Sequence, residues 1–337
     1  MIKIAIDLGS STTKIYRADS GNGIALAEPS CVAVSGIERT LKAVGKEAKK
    51  LVGKTAELTQ IIFPVHEGEI VDGKLAAEML KEFLSRVGVQ SHLLKRVQTV
   101  FAVPCGASTA LLEDYALLAE ECGLRKVLFV EAPYLSALGS DLVLSESNPV
   151  FTMDIGGGMT NVAVLSLGGI IAGLSMNLGG HNMDANIIDK MARQNGLNIG
   201  DLTAERIKNE IGSLSDKARA STVAQGSSVQ TYYPASIAVQ SAEITDCIRV
   251  YVDKILEYAG MVLNQLPAEV AAAVHKNGLC LSGGVAKIDG VAEYISKKLG
   301  MDVHVTEEPQ FAVVMGAGMI ARDQRLYNTF AKKYANA

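Results

Sequence analysis

Two stretches of this 337-residue chain combine a carboxylate, glycines and hydroxyls in a pattern suited to a metal-bound polyphosphate. The first is Asp7-Leu8-Gly9-Ser10-Ser11-Thr12-Thr13-Lys14, and the second is Asp154-Ile155-Gly156-Gly157-Gly158-Met159-Thr160-Asn161. In each, an apolar run ends on an aspartate, a glycine turn follows, and another apolar run begins. Glycine lets a chain turn sharply and lets its backbone approach a ligand closely. Successive N–H groups in such a turn form a concavity for anions, and the neighbouring carboxylate can hold a metal ion, usually through water. Ser and Thr hydroxyls add donors to phosphate oxygens, and Lys14 adds a positive charge for a β- or γ-phosphate. Neither stretch is a Walker A loop: the GxxxxGK[ST] spacing is missing, and each turn joins two strands. Taken singly, each also fits an ordinary glycine hairpin. The repetition, in the same order, selects the nucleotide reading.

The elements around these turns follow from periodicity. Residues 2–6 read as a strand ending at Asp7. Leu75, Met79, Leu80, Phe83 and Leu84 mark one face of a helix over 73–87. Val97 to Val103 reads as a buried strand, followed by a helix from about Ser108 to Cys122 with Ser108 or Thr109 as its cap. A strand at 127–130 and a small-residue helix at 134–141 continue a βαβα alternation, which predicts an α/β fold. In the second half, Gly179 and Gly180 open a helix running to about Asn195, a turn able to face phosphate. His181 at that helix start is expected to be solvated. Residues 219–235 read as a loose hairpin or mobile loop. Glu205 and Lys208, spaced i, i+3, share a helix face, either as a solvated ion pair or as partners for the two hydroxyls of a ribose. Leu281-Ser282-Gly283-Gly284 is a third strand entering a glycine turn. Two half-domains built this way would set Asp7 and Asp154 facing each other across a cleft.

Composition narrows the class. Hydrophobic residues make up 48 %, aromatics only 5 %, and Trp is absent, so the core is aliphatic. The net charge of −4 gives no general attraction to nucleic acid. Five widely spaced cysteines without a CxxC pair suggest neither a zinc site nor a disulfide framework, and reduced thiols in a cytosolic protein are expected. No signal-peptide pattern opens the chain, and no run of about 20 apolar residues is present. Leu93-Leu94, between polar and basic residues, reads either as a tuck into the core or as an apolar tip for an anionic membrane.

These motifs resemble the actin/Hsp70/sugar-kinase ATPase superfamily. Asp7-Leu8-Gly9-Ser10 looks like its first phosphate motif, Asp154 to Gly158 its second, and Leu281 to Gly284 its adenosine motif. More narrowly, the chain resembles the MreB-like bacterial actins over nearly its whole length. The matching stretches include Glu28-Pro29-Ser30, Gly179-Gly180 with Met183-Asp184, Thr203-Ala204-Glu205 with Ile207-Lys208, and Val303-His304-Val305. The resemblance implies an actin-like two-domain ATPase fold of duplicated ribonuclease-H-like domains with four subdomains. Domain I would take residues 1–149 and 316–337, with a small subdomain at about 33–65. Domain II would take 150–315, with a small subdomain at about 182–243. It implies ATP or ADP as ligand, with Mg²⁺ held through water by Asp7 and Asp154. Gly9, Ser10, Ser11, Thr12, Thr13, Lys14, Gly156, Gly157, Gly158, Thr160, Gly179 and Gly180 would cradle the phosphates. Glu205 and Lys208 would hold the ribose, and Gly283 and Gly284 would line the adenosine.

The implied partners are further copies of the chain in protofilaments, the inner membrane surface, reached through Leu93-Leu94, and cell-wall synthesis proteins. The chain departs from the family where the water-orienting glutamate is expected: Leu111 stands there, and leucine neither accepts a proton nor orients water. Asp114, about 300° further around the helix, is the nearest substitute. Asn161 and Ala132 also stand where the family commonly has acids. ATP binding with slow or lost hydrolysis is therefore expected. Lys14, closer to conventional actin or the plasmid-segregating actins, supports the alternative of an actin-like filament that positions an organelle or, through a DNA adaptor, a plasmid. A chaperone-like or sugar-kinase ATPase without filaments is the reading from another class, and neither a peptide-binding nor an extra substrate domain is expected.

Overall fold

The structure, a computed structural model, describes residues 2–19, 21, 23–54, 59–90, 94, 96–142, 148–166 and 169–335. Its plan is a duplication. In the first half, Lys3–Leu8, Thr12–Arg17 and Gly23–Pro29 form an antiparallel meander, and Gln98–Val103 and Lys126–Glu131 add in parallel on the other side of Lys3–Leu8. In the second half, Val150–Ile155, Thr160–Ser166 and Gly169–Met176 form the meander, with Leu279–Ser282 and Val303–Val305 parallel beyond it. Each central strand is apolar on both faces because both faces are covered. Ile4, Ile6 and Leu8 enter one core while Ala5 enters another. The registers correspond as well: Asp7 stands opposite Lys14, and Asp154 opposite Asn161.

Between the two sheets lie the helices Ala132–Gly139 and Ala312–Arg322. They cross with their backbones in contact. A Cβ added to Gly139 would fall 1.9 Å from the Ala312 carbonyl oxygen, and one added to Gly316 would fall 1.9 Å from that of Leu135. Their small residues share a core with Ala5 and Val100 of one sheet and Val150 and Ala163 of the other. The second helix runs unbroken through the expected boundary at 315/316.

Two smaller sheets sit above the cleft. Val32–Ser35 pairs with Thr40–Val44 and Thr59–Ile62, inside the stretch 33–65 apart from its first residue. Ser221–Ser228 pairs with Pro234–Gln240 and with Leu197–Asn198, inside 182–243. The region read as a loose hairpin or mobile loop is thus a regular antiparallel pair, fixed by Ala224 and Val239, which are fully buried in the core of the second half with Met183 and Ile207. All five cysteines are buried free thiols. Among the described residues, no helix is long and apolar enough to cross a membrane.

Candidate functional site

The two aspartate turns meet. A Cβ on Gly157 would lie 2.7 Å from Ser11 Cβ, and one on Gly158 would lie 2.9 Å from Ser10 Cβ. Each turn closes alike: a Cβ on Gly9 would come 2.9 Å from the Thr12 carbonyl, and one on Gly156 the same distance from that of Met159. None of these four glycines adopts a positive φ. They are glycines because there is no room for a side chain. Above the turns opens a cleft of about 760 Å³, which Asp7, Lys14, Asp154, Glu205, Lys208 and Gly283 help to line.

Asp7 accepts a hydrogen bond from the Lys14 ammonium at 2.7 Å. The lysine thereby uses one of its three donors, leaving two for an anion. Asp154 has no such cation opposite. It accepts from Ser282 Oγ at 2.8 Å, and Ser282 in turn shares a 2.8 Å hydrogen bond with Ser136. Burial pushes the Asp154 carboxyl up to about 6, the Ser282 bond opposes this, and the charge of Asp7 adds to it. Two carboxylates that repel each other on the cleft floor suit a divalent cation, which removes the repulsion. Among the described residues no cluster of three acidic, His or Cys ligands forms, so such an ion would complete its coordination with water and ligand oxygens.

Lys208 is not a solvated partner of Glu205. It is buried, donating to the Gly180 carbonyl at 2.9 Å and to Asp184 at 2.7 Å. Burial pushes Asp184 up to about 6, with Lys208 opposing. Glu205 instead reaches across the cleft to Lys49 at 2.6 Å, linking helix Asp201–Ile211 to the short helix Lys46–Lys49. Both Glu205 and Lys208 still border the cleft. Gly283, at φ 87°, would place a Cβ 2.2 Å from the Ile155 carbonyl, so the third glycine turn is seated on the end of the second aspartate strand.

Several expected ligands are used elsewhere. Thr13 and Thr160 are fully buried, and their hydroxyls bond Ser30 at 2.8 Å and the Leu178 carbonyl at 2.7 Å. The helix start at Gly179 and Gly180 does not offer its first N–H groups to phosphate. Gly179 N donates to Asn182, Gly180 N to the Gly156 carbonyl and His181 N to the Gly157 carbonyl. That helix start holds the second aspartate turn instead. Asp114 is exposed and does not border the cleft, because the helix turns Tyr115 inward in its place. Leu111 packs partly buried on the first core. Leu94 packs partly buried there, against Gly123, as the tuck of the two sequence readings has it; Leu93, the other half of the pair, lies outside the described residues.

Other residues of the site were missed from sequence. Gly68, in the hairpin of Val65–His66 and Glu69–Ile70, donates its N–H to Ser10 Oγ at 3.1 Å and accepts from the Tyr115 hydroxyl at 3.0 Å. No local pattern links Gly68 to Tyr115 or Ser10, which are 47 and 58 residues away along the chain. His181 is half-buried and lines the cleft rather than being solvated.

Two mixed sheets of identical order, with crossed helices between them and a cleft floored by paired aspartate turns, make this an actin-like fold. MreB 5 of Spiroplasma citri, solved bound to AMPPNP, superposes with a TM-score of 0.90 at 27 % identity, covering 99 % of this chain and 98 % of that one. The same protein bound to ADP gives 0.89 at 27 % identity, with the same coverage. A chain of the MamK double helical filament, at 19 % identity and TM-score 0.79 over 96 % of this chain and 99 % of that one, shares the fold. The model of the family described as MreB/Mbl protein matches residues 1–329. The cell shape-determining protein MreB of Escherichia coli (strain K12) is 34 % identical over 321 residues, 94 % of this chain and 92 % of the relative. The cell shape-determining protein Mbl of Bacillus subtilis (strain 168) is 30 % identical over 318 residues, 94 % and 95 % of the two chains. This chain belongs to the MreB/Mbl family.

Proposed function

We propose that the chain binds ATP or ADP in the cleft and assembles with its own copies into filaments that determine cell shape. The observation that carries this reading is the contact of the two aspartate turns beneath one cleft. A triphosphate held between Ser10 and Gly158 touches both halves at once, so binding is coupled to how the halves close. Asp7 and Asp154 would hold Mg²⁺ through water, and the ion would neutralise charge on the β- and γ-phosphates. Lys14 and the Ser10 hydroxyl donate to phosphate oxygens, Glu205 and the remaining Lys208 proton face the ribose, and Gly283-Gly284 borders the base. The chain would divide into residues 1–149 with 316–337 and residues 150–315, a reading supported by the separate sheets of the two halves.

Cell shape is the role named for the relatives in Escherichia coli and Bacillus subtilis, and AMPPNP and ADP are the ligands of the Spiroplasma citri relative. We assign the filaments to the inner membrane face, where they organise cell-wall synthesis. Hydrolysis is slow, since Leu111 supplies no proton acceptor. Ultracentrifugal pelleting with Mg·ATP, combined with electron microscopy, tests the reading. Filaments that depend on nucleotide are expected, and a protein that stays monomeric with saturating nucleotide bound sinks the filament assignment. Co-sedimentation of those filaments with anionic liposomes tests their place at the membrane.

A further inference from the structure

One acid–base group of the cleft has no part in the nucleotide contacts assigned so far. His181 follows Gly180 at the start of helix Gly180–Asn195 and borders the cleft. A Cβ on Gly157 would stand 3.1 Å from His181 Nε2 and 2.7 Å from Ser11 Cβ, so the imidazole lies beside the seam of the two phosphate turns. Its backbone N–H, bonded to the Gly157 carbonyl at 2.7 Å, ties it to that turn. Among the described residues the ring itself has no hydrogen-bond partner. The carboxylates around it are all engaged: Asp7 by Lys14, Asp154 by Ser282, Asp184 by Lys208 and Glu205 by Lys49. Asn161 Oδ1 accepts the Cys105 N–H, and the Tyr115 hydroxyl is bonded to Gly68.

Several charged or titratable groups face the ring. Lys208 and Glu205 do so from helix Asp201–Ile211, His66 from the hairpin and Lys49 from the short helix. Burial first, and then Lys208, hold the imidazole below its usual range, so it is neutral at pH 7 and has a nitrogen free to accept a proton.

We propose that His181 orients and deprotonates the water that attacks the γ-phosphate, in place of the acid missing at Leu111. This rests on the reading that the cleft binds ATP. In the step, the water oxygen bonds to the γ-phosphorus. The bond from that phosphorus to the β–γ bridging oxygen breaks, and ADP leaves with its electron pair. The water proton passes to the imidazole and from there to solvent. Lys208 opposes the imidazolium that forms, which makes His181 a weak base and keeps turnover slow.

The test uses His181→Gln and His181→Ala in the full chain, with Kd for a fluorescent ATP analogue and single-turnover phosphate release as separate readouts. Both variants should keep Kd within about threefold, while phosphate release falls about 100-fold, the usual contribution of a positioned acid–base group. The wild-type rate should rise with pH through the imidazole titration, and the Gln variant should lose that dependence. Wild-type release by His181→Gln, or a wild type that binds nucleotide and releases no phosphate, overturns the proposal. So does a loss of affinity as large as the loss of rate, which would assign the ring to binding. A wild type that binds no nucleotide removes the nucleotide reading itself, and this proposal with it.

Discussion

The Asp7 and Asp154 hairpins share length, register and closure, and they differ in the residue set opposite the carboxylate. At Asp7 it is Lys14, whose ammonium sits 2.7 Å away. At Asp154 the same register position holds Asn161, whose side-chain oxygen is turned to the Cys105 N–H. The first carboxylate is therefore neutralised within its own hairpin. The second is partly buried with hydroxyl and amide partners and only the more distant charge of Lys14 to favour its ionised form, and it bears the cost of that burial until a cation arrives. One copy of the duplicated unit is preset, and the other is poised for a metal-bound ligand. Duplication fixed the geometry of both, and a single register position divided their electrostatic roles.

The largest test of this contrast is Asp154→Asn. The folded Asp154 carboxyl, raised from 3.8 to about 6, binds its proton more tightly than in the unfolded chain. The wild type without ligand therefore loses stability as pH rises from about 4 to about 6, and the loss, on the order of 3 kcal/mol, persists above pH 6. Asp154→Asn should remove that slope and melt at a higher temperature than the wild type at pH 7.5. Its affinity for Mg·ATP should fall about 100-fold by calorimetry. An unchanged pH–stability profile in the variant would show that the carboxylate is not strained.

Lys14→Ala comes next. Removing the partner of a half-buried carboxylate should cost about 2 kcal/mol in urea unfolding. In a double-mutant cycle with Asp7→Asn, most of that cost should vanish. Additive effects would mean that the pair is incidental.

The cross-cleft pair should matter less, because Lys49 and Glu205 are each about a third exposed. Lys49→Ala should destabilise by under about 1 kcal/mol. It should speed nucleotide release by about threefold in stopped-flow exchange, as expected if a pair of that strength holds the halves closed. Smallest of all is Asp114→Ala: the residue is exposed and outside the cleft, so single-turnover phosphate release should match the wild type. A loss of about tenfold or more would restore Asp114 as the water-activating acid.

Much of this was legible in the sequence. The aspartates, their glycines and the apolar runs on either side announce two like hairpins, because strand alternation and glycine turns are local properties. The same holds for helix Gly73–Arg86, whose face of Leu75, Met79, Leu80, Phe83 and Leu84 is buried as its spacing requires. The roles of individual polar side chains were not legible, since they depend on which neighbour arrives from another element. Thr13 follows Ser11 and Thr12 in the first turn and reads as one more phosphate donor, yet its hydroxyl is paired with Ser30. Thr160 holds the matching place in the second turn, and its hydroxyl donates to the Leu178 carbonyl. Glu205 and Lys208 share a helix face, yet each has a partner from elsewhere, Lys49 and Asp184.

The sequence by itself determined the duplicated strand–aspartate–turn units, the α/β class and the absence of an acid at Leu111, all of which depend on residue type and short spacing. Only the tertiary structure decided that the two turns touch, that Asp154 is left without a cation while Asp7 has one, and that His181 faces the cleft. The first outcome depends on the distance between turns more than a hundred residues apart, and the other two on side-chain directions and a burial that no local pattern encodes.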